Sequence, residues 1–294
     1  MVSLEKCSKC SEEALIHVGW KRKNYCKDHF NEYVEGQVKK VFDKFKIDKK
    51  SRICVALSGG KDSSALLHIL KKIGCENLEA LHLNLNINEY SKKLLEKSKE
   101  ICEKLGVKLN VVDVNLFNFV EKNRKVCKVC GVIKRYNFNK FAFENNFEYL
   151  ATGQNLNDIV SHAIMTLYSG YLLGLKNFSP VSKKIEEFGL TSVIKPLFFL
   201  QEREIETYAK INSIDYLREK CVYWETSFRV EVKKFLEKLE EKNPGFLRKI
   251  ASSLIKLSSL LENFEIAKMR KCKICGFASL GKICSFCKLK LTST

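Results

Sequence analysis

Apolar and polar positions along the chain alternate between two periods. Short apolar runs, RICVALS at 52–58, LEALHLNLNI at 78–87, VKLNVVDV at 107–114, FEYLATG at 147–153 and TSVIKPLFF at 191–199, read as buried strands. Each is followed by a stretch with apolar residues near helical spacing, at 62–74, 91–106, 131–146, 155–170 and 201–214. This alternation predicts an α/β fold, a parallel sheet with helices on both faces, whose ligands bind beyond the carboxyl ends of the strands. Ahead of the first strand, Tyr33, Val34, Val38, Val41, Phe42 and Phe45 mark an amphipathic helix over 31–46. After the last, helical runs at 230–242 and 245–268 are separated by Pro244 and Gly245. No repeat of solenoid period and no low-complexity segment interrupts the pattern.

The two ends depart from it. Residues 1–30 hold too few apolar side chains to stay folded by burial alone, so they need a staple. Cys7, Cys10, Cys26 and His29 follow C-x2-C-x15-C-x2-H, and Cys272, Cys275, Cys284 and Cys287 follow C-x2-C-x8-C-x2-C with Gly276 after the second ligand. Both spacings match tetrahedral zinc, and four protein ligands leave no position for a substrate, so each zinc is expected to be structural. The expected organisation is a zinc finger at 1–30, a connector helix at 31–50, a catalytic domain at 51–265 and a zinc ribbon at 266–294.

Charge adds a partner. The chain of 294 residues carries 52 Lys and Arg against 34 Asp and Glu, a formal net charge of +18. A polyanion is the expected partner, nucleic acid before an anionic membrane surface, unless the lysine excess is compositional only. No segment approaches the ~18–20 apolar residues of a membrane span, and the start lacks the apolar stretch of a secretory signal. A cytoplasmic protein is therefore expected, in which clustered cysteines bind metal more often than they form disulfides.

The candidate chemistry lies in SGGKDS. Gly59 and Gly60 permit a tight turn that brings backbone amides close to an anion, and the helix starting near Asp62 adds its positive end. Ser58, Ser63 and Ser64 offer hydroxyls and Lys61 a charge. The spacing is not the G-x-x-x-x-G-K-S/T of a Walker loop, which disfavours γ-phosphate transfer. The motif resembles the PP-loop of the ATP pyrophosphatases, with the adenine nucleotide alpha hydrolase-like fold. That resemblance implies ATP with Mg2+, transfer of AMP to a carbonyl or amide oxygen, and release of pyrophosphate.

Six cysteines remain outside the zinc sets. Cys54, Cys75 and Cys102 fall in or beside strand and helix runs and read as ordinary thiols. Cys127 and Cys130 form a lone C-x-x-C, open to reading as a redox dithiol, half of a metal site or a disulfide relay, and Cys221 lies in an irregular segment. Taken together, the zinc modules, SGGKDS, CKVCGVIKR, ATGQNLND and CVYWETSFR resemble the tRNA 2-thiouridine synthetases of the archaeal and thermophile type and their eukaryotic cytosolic wobble-uridine relatives, over nearly the whole chain.

The resemblance implies that Cys127, Cys130 and Cys221 hold a 4Fe–4S cluster by three thiolates, leaving one iron open to an exogenous sulfide. It places Ser58, Gly59, Gly60, Lys61, Asp62 and Ser63 in the nucleotide loop, Lys134 beside the adenylated base and Asp158 beside ATP, with Asp62, Lys134 and Asp158 as catalytic residues. Lys134 also reads as an RNA-phosphate or solvated lysine. The implied reaction adenylates O2 of a tRNA uridine and inserts sulfur at C2, giving 2-thiouridine. A sulfur donor, either sulfide or a thiocarboxylated ubiquitin-like carrier, and a homodimer are implied as well. Where relatives typically read GHNxDD this chain has GQNLND, so Gln154 replaces His and Asn157 replaces Asp. Three other readings stay open: a tRNA-binding paralogue without thiolation, a PP-loop ligase attaching an amine, and 2-thiolation of cytidine. Phe138, Phe141 and Phe143 read as the buried face of a helix before they read as a base-stacking surface.

Overall fold

Ahead of the sheet, β1 (Ile16–Val18) and β2 (Lys23–Tyr25) form an antiparallel hairpin that leads into α1 (Lys27–Phe45). There follow β3 (Ile53–Ala56), α2 (Lys61–Lys72), β4 (Leu78–Asn84), α3 (Asn88–Leu105), β5 (Lys108–Asp113), α4 (Val126–Glu144), β6 (Tyr149–Ala151), α5 (Leu156–Tyr168), β7 (Ser192–Ile194) and α6 (Glu202–Ile211). Two long helices, α7 (Phe228–Lys242) and α8 (Phe246–Leu261), precede a small ribbon of β8 (Arg270–Lys271), β9 (Ala278–Ser279) and α9 (Ser285–Leu291). This computed structural model describes residues 6–120, 126–224, 228–261 and 269–292.

The five central strands pair in parallel in the order β5-β4-β3-β6-β7, as the alternating pattern predicts. In β3, Ile53 and Val55 face a core shared with α1, α2 and α6, whereas Cys54 and Ala56 face Phe138, Phe141 and Ala142 of α4. Burial on both faces is why these strands read as continuous apolar runs. The chain builds outward from β3 to β4 and β5, then returns to β6 and β7, so a crevice opens between the carboxyl ends of β3 and β6.

Helix α4 begins at least five residues before the sequence pattern places it. Val129 and Ile133 pack with Leu83, Leu85 and Leu116, and the helix runs through Gly131 without a break, with no proline between Val126 and Ile133. Cys127 and Cys130 therefore sit on its first described turns, with Lys134 one turn beyond Cys130. Phe138 and Phe141 pack on the sheet and Phe143 on Phe277 of the ribbon, so these rings are spent on the core and the ribbon contact.

The termini differ in how they attach. Val18, Tyr25 and Phe30 merge into the main core, and α1 starts at Lys27, so the expected boundary between 30 and 31 falls inside one helix. A buried polar knot fixes this module. The Tyr33 hydroxyl donates to Glu204 (2.8 Å) and accepts from Trp20 Nε1 (3.1 Å) and Arg248 Nη2 (3.0 Å). The expected boundary at 265/266 lies outside the described residues. The ribbon docks on α4 through the stacked rings of Phe286 and Tyr136, with centroids 3.9 Å apart and an interplanar angle of 6°. Between them, α5, α7 and α8 form a second core around Leu156, Val160, Leu236, Leu247 and Ala251.

Candidate nucleotide and thiolate site

At the carboxyl end of β3 the chain turns through Ser58, Gly59 and Gly60 into α2. Gly59 adopts φ +75°, and a Cβ there would collide with the Leu94 carbonyl, so both conformation and space require glycine. Ser63 Oγ lies 3.0 Å from Ser58 Oγ, accepts from Ser58 N (3.1 Å) and reaches the Gly60 carbonyl at 3.1 Å, which locks the loop. Gly60 occupies the N-cap of α2 without a side chain to cap it, so the first-turn amides are left for an anion. Across the crevice Gly153, after β6, comes so close that an added Cβ would lie 3.0 Å from Ser63 N and 3.1 Å from Asp62 C. A phosphate cradle is built here from two loops.

Charged groups ring that cradle. Lys61 Nζ lies 2.8 Å from Asp62 Oδ1 and 3.5 Å from Glu202 Oε1, while Lys233 Nζ lies 3.2 Å from Glu202 Oε2 and 2.6 Å from Asp158 Oδ1. Arg229 completes the chain at 3.2 Å from the same Asp158 oxygen. Burial pushes the Asp62 carboxyl above its ordinary value although Lys61 opposes the shift. Burial acts the same way on Asp158, but Lys233 and Arg229 outweigh it and hold that carboxyl below its ordinary value. Asp158 also serves as the third residue of a capping box, with its amide donating to Asn155 Oδ1 (3.0 Å).

Cys127 and Cys130 lie at the same edge, on the helix that follows β5, and the irregular segment carrying Cys221 returns to it. Cys127 is exposed, and Cys130 and Cys221 are half-buried beside Val126, Val132 and Phe119. Burial, then the neighbouring Cys130 and Cys221 sulfurs, push the Cys127 thiol up, and Lys134 opposes them. Those four side chains are thus electrostatic neighbours. Two contacts tie them to the nucleotide loop. The Leu217 amide donates to the Gly59 carbonyl (3.0 Å), anchoring the segment that carries Cys221. His82 Nδ1 lies 3.1 Å from the Leu57 carbonyl, and Lys134 acts on its imidazole, which burial pushes down to about 4.

Two other donor sets converge. Cys7, Cys10, Cys26 and His29 lie within 4.8 Å of one another, as do Cys272, Cys275, Cys284 and Cys287. Sulfur pairs Cys10–Cys26 and Cys275–Cys284 are 3.8 Å apart. A tetrahedron with Zn–S bonds of about 2.3 Å requires an edge of roughly 3.8 Å. His29 Nδ1 approaches all three finger sulfurs at 3.3–3.5 Å. Burial alone would raise the Cys7 and Cys272 thiols, yet backbone amide donors lower both, while burial and the crowded neighbouring sulfurs raise Cys284 and Cys287 and outweigh a backbone donor at Cys10. The donor chemistry fits zinc at both. Cys127, Cys130 and Cys221 are not among the sets that converge so tightly, and three soft thiols, one exposed and two bordering an apolar cluster, fit a cluster whose irons each take one cysteine.

The PP-loop domain family matches residues 30–237. Over 290 residues the chain is 36% identical to the tRNA-5-methyluridine(54) 2-sulfurtransferase of Pyrococcus horikoshii, covering 96% of this chain and 93% of that one. It is 35% identical to the enzyme of the same name from Thermotoga maritima, covering 97% and 96%. The chain belongs to this PP-loop family of tRNA 2-thiolation enzymes. Among solved structures, it superposes on the U34-tRNA thiolase NcsA from Methanococcus maripaludis, described with its 4Fe–4S cluster. The TM-score is 0.83 at 26% identity, with 99% of this chain and 97% of that one covered.

Within this PP-loop enzyme fold, sequence reasoning reached the loop and the cysteines but missed Glu202, Arg229 and Lys233, which come from elements far along the chain. The Q-x-x-E of Gln201 and Glu204 was a usable sign that a capped helix starts there, beside the cradle. Nothing in the sequence marks Lys233. Asn157, where relatives typically have aspartate, accepts from the Glu202 amide (3.1 Å) and so caps α6. Asn86, in the loop after β4, adopts φ +54°. Cys54, Cys75 and Cys102 are buried, and burial pushes their thiols up to about 12, 11 and 11, as inert core residues.

Proposed function

We propose that the protein is a tRNA 2-sulfurtransferase that adenylates O2 of a uridine with ATP and replaces that oxygen by sulfur, releasing AMP to give 2-thiouridine. The observation that carries the reading is the joining of two sites at one sheet edge. The Gly59 carbonyl of the nucleotide loop holds the Leu217 amide, four residues before Cys221; Cys127 Sγ donates to the Tyr223 carbonyl (3.3 Å), and Cys130 and Cys221 border one apolar cluster with Lys134 a turn beyond Cys130.

Ser58, Gly59, Gly60, Lys61 and Ser63 would hold the pyrophosphate end of ATP through amides and hydroxyls, leaving the α-phosphorus toward the tRNA base. Asp62 and Asp158, released from Lys61 and Lys233 as those cations turn to phosphate, would hold Mg2+. Lys134 would stabilise charge developing beside the base. A 4Fe–4S cluster at Cys127, Cys130 and Cys221 would supply an iron able to bind sulfur. Zinc at the two four-ligand sets would be structural. Finger and connector would share α1 and the main core, with the catalytic domain starting near 50 and the ribbon near 265. Sulfide or a thiocarboxylated carrier would deliver sulfur to a cytoplasmic homodimer. Among the described residues no helix is long and apolar enough to cross a membrane.

Relatives are named for two tRNA positions, 54 and 34, so the chemistry is shared while the address differs. The test is anaerobic incubation of the reconstituted protein with unmodified tRNA, Mg-ATP and sulfide, followed by nucleoside mass spectrometry. A 2-thiouridine product that needs both ATP and Cys221 supports the reading. Pyrophosphate release with an amine adduct, or a thiolated cytidine, would replace it, and neither ATP turnover nor product would point to a tRNA-binding paralogue.

A further inference from the structure

Residues 269–292 carry Arg270, Lys271, Lys273, Lys282, Lys288 and Lys290 and no Asp or Glu. All six are exposed, and among the described residues none is held by a carboxylate. Some exposed lysines elsewhere are paired with carboxylates, Lys9 with Glu32 and Lys93 with Glu219, each at 2.7 Å, whereas the ribbon has no carboxylate of its own. The N-terminal zinc module also mixes its charges, with Glu12, Glu13 and Asp28 among its lysines. Six like charges on so small a scaffold repel one another, a cost that a polyanion offsets by neutralisation and counterion release.

The position of the ribbon names the polyanion. Leu289 packs in one cluster with Val129 and Ile133 of α4, and Cys130 and Cys221 border that same cluster. Phe286 stacks on Tyr136, two residues past Lys134. The unpaired cations are therefore carried beside the thiolate site, on a frame that four cysteines hold together. The N-terminal module is instead built into the core formed with α1, α2 and α6.

We infer that the C-terminal ribbon grips the RNA backbone next to the target nucleoside, while the N-terminal module is a structural staple. This rests on the tRNA reading given above. Base contacts and reaction belong to the thiolate and nucleotide residues; the ribbon supplies phosphate contacts that set register.

Affinity of the full-length, zinc-loaded protein for an unmodified tRNA transcript, measured across a series of KCl concentrations, tests this. One variant combines Lys271→Gln, Lys273→Gln and Lys282→Gln. A control combines Arg22→Gln, Lys23→Gln and Lys27→Gln, removing equal charge from the other module. The ribbon variant should lose at least about tenfold in affinity, and its log–log salt slope should fall by about 2–3. The control slope should change by less than about 1. Zinc content and ATP binding should match the parent in both, and if the first variant loses zinc, Arg270→Gln with Lys288→Gln and Lys290→Gln takes its place. Equal effects of the two triple variants would overturn the inference. So would an unchanged tRNA slope with lost binding to anionic vesicles or to an acidic protein. Failure of the parent protein to bind tRNA would sink the tRNA reading itself.

Discussion

Lys233 is the residue that the geometry most clearly adds to the site, and Lys233→Met tests its place there. Its ammonium lies 2.6 Å from Asp158 and 3.2 Å from Glu202, and the three side chains are 22%, 20% and 34% exposed. Pairs in open solvent contribute about 0–1 kcal/mol, whereas breaking a buried pair costs about 3–5 kcal/mol. Partial exposure here, with Arg229 remaining on Asp158 and Lys61 on Glu202, places the cost near 2 kcal/mol. Urea unfolding of the zinc-loaded protein at pH 7.5 reads this directly. A cycle with Asp158→Asn isolates the pair, because any loss of the capping contact to Asn155 cancels, and should give a coupling of about 1 kcal/mol or more. Lys233→Met should also weaken ATP binding several-fold, since Glu202 is then left to hold Lys61 alone and a cation beside the cradle is gone. A coupling below about 0.3 kcal/mol together with unchanged ATP affinity would show that these contacts are incidental.

Gly153→Ala places a methyl 3.0–3.2 Å from backbone atoms of residues 62 and 63, which cannot rotate away, so it should cost about 1–3 kcal/mol and weaken ATP binding without affecting zinc content; calorimetric titration with ATP is the check. Cys26→Ser should lower the melting temperature of the whole protein, whereas Cys284→Ser should loosen mainly the ribbon, because Cys26 belongs to the main core and Cys284 to a separate small cluster. Metal analysis should find each variant short of one zinc, and loss of main-domain amide protection in Cys284→Ser would contradict this. His82, 2% exposed, has its imidazole pushed down to about 4 by burial. From pH 6.5 downward the unfolded chain takes up a proton that the folded chain does not, so stability falls with pH and this contribution levels off below about 4. His82→Gln should flatten the decline by about one proton, and an unchanged slope in acid titrations of stability would show that the imidazole is not kept neutral.

What was legible in the sequence was whatever is written locally. The five strand runs and their helices follow from burial on both sheet faces, and the zinc sets from ligand spacings of two residues. SGGKDS was readable because a glycine-rich strand-to-helix turn is a local device. The charge ring was not. Glu202 reaches Lys61, and Arg229 and Lys233 reach Asp158, only once β7, α6 and α7 are folded, and their sequence neighbours look like those of any solvated helix. Cys221 was assigned by family resemblance alone, since an irregular segment has no periodicity to reveal where it lies. The structure supplies a physical reason for its place: the peptide that gives Gly59 its left-handed turn also presents the carbonyl that binds the Leu217 amide. Any side chain at 59 would have to move that peptide away from Leu94, and the anchor of the Cys221 segment would move with it. Glycine is thus required at 59 by the turn itself, and the same peptide anchors the segment that carries Cys221 through a single hydrogen bond.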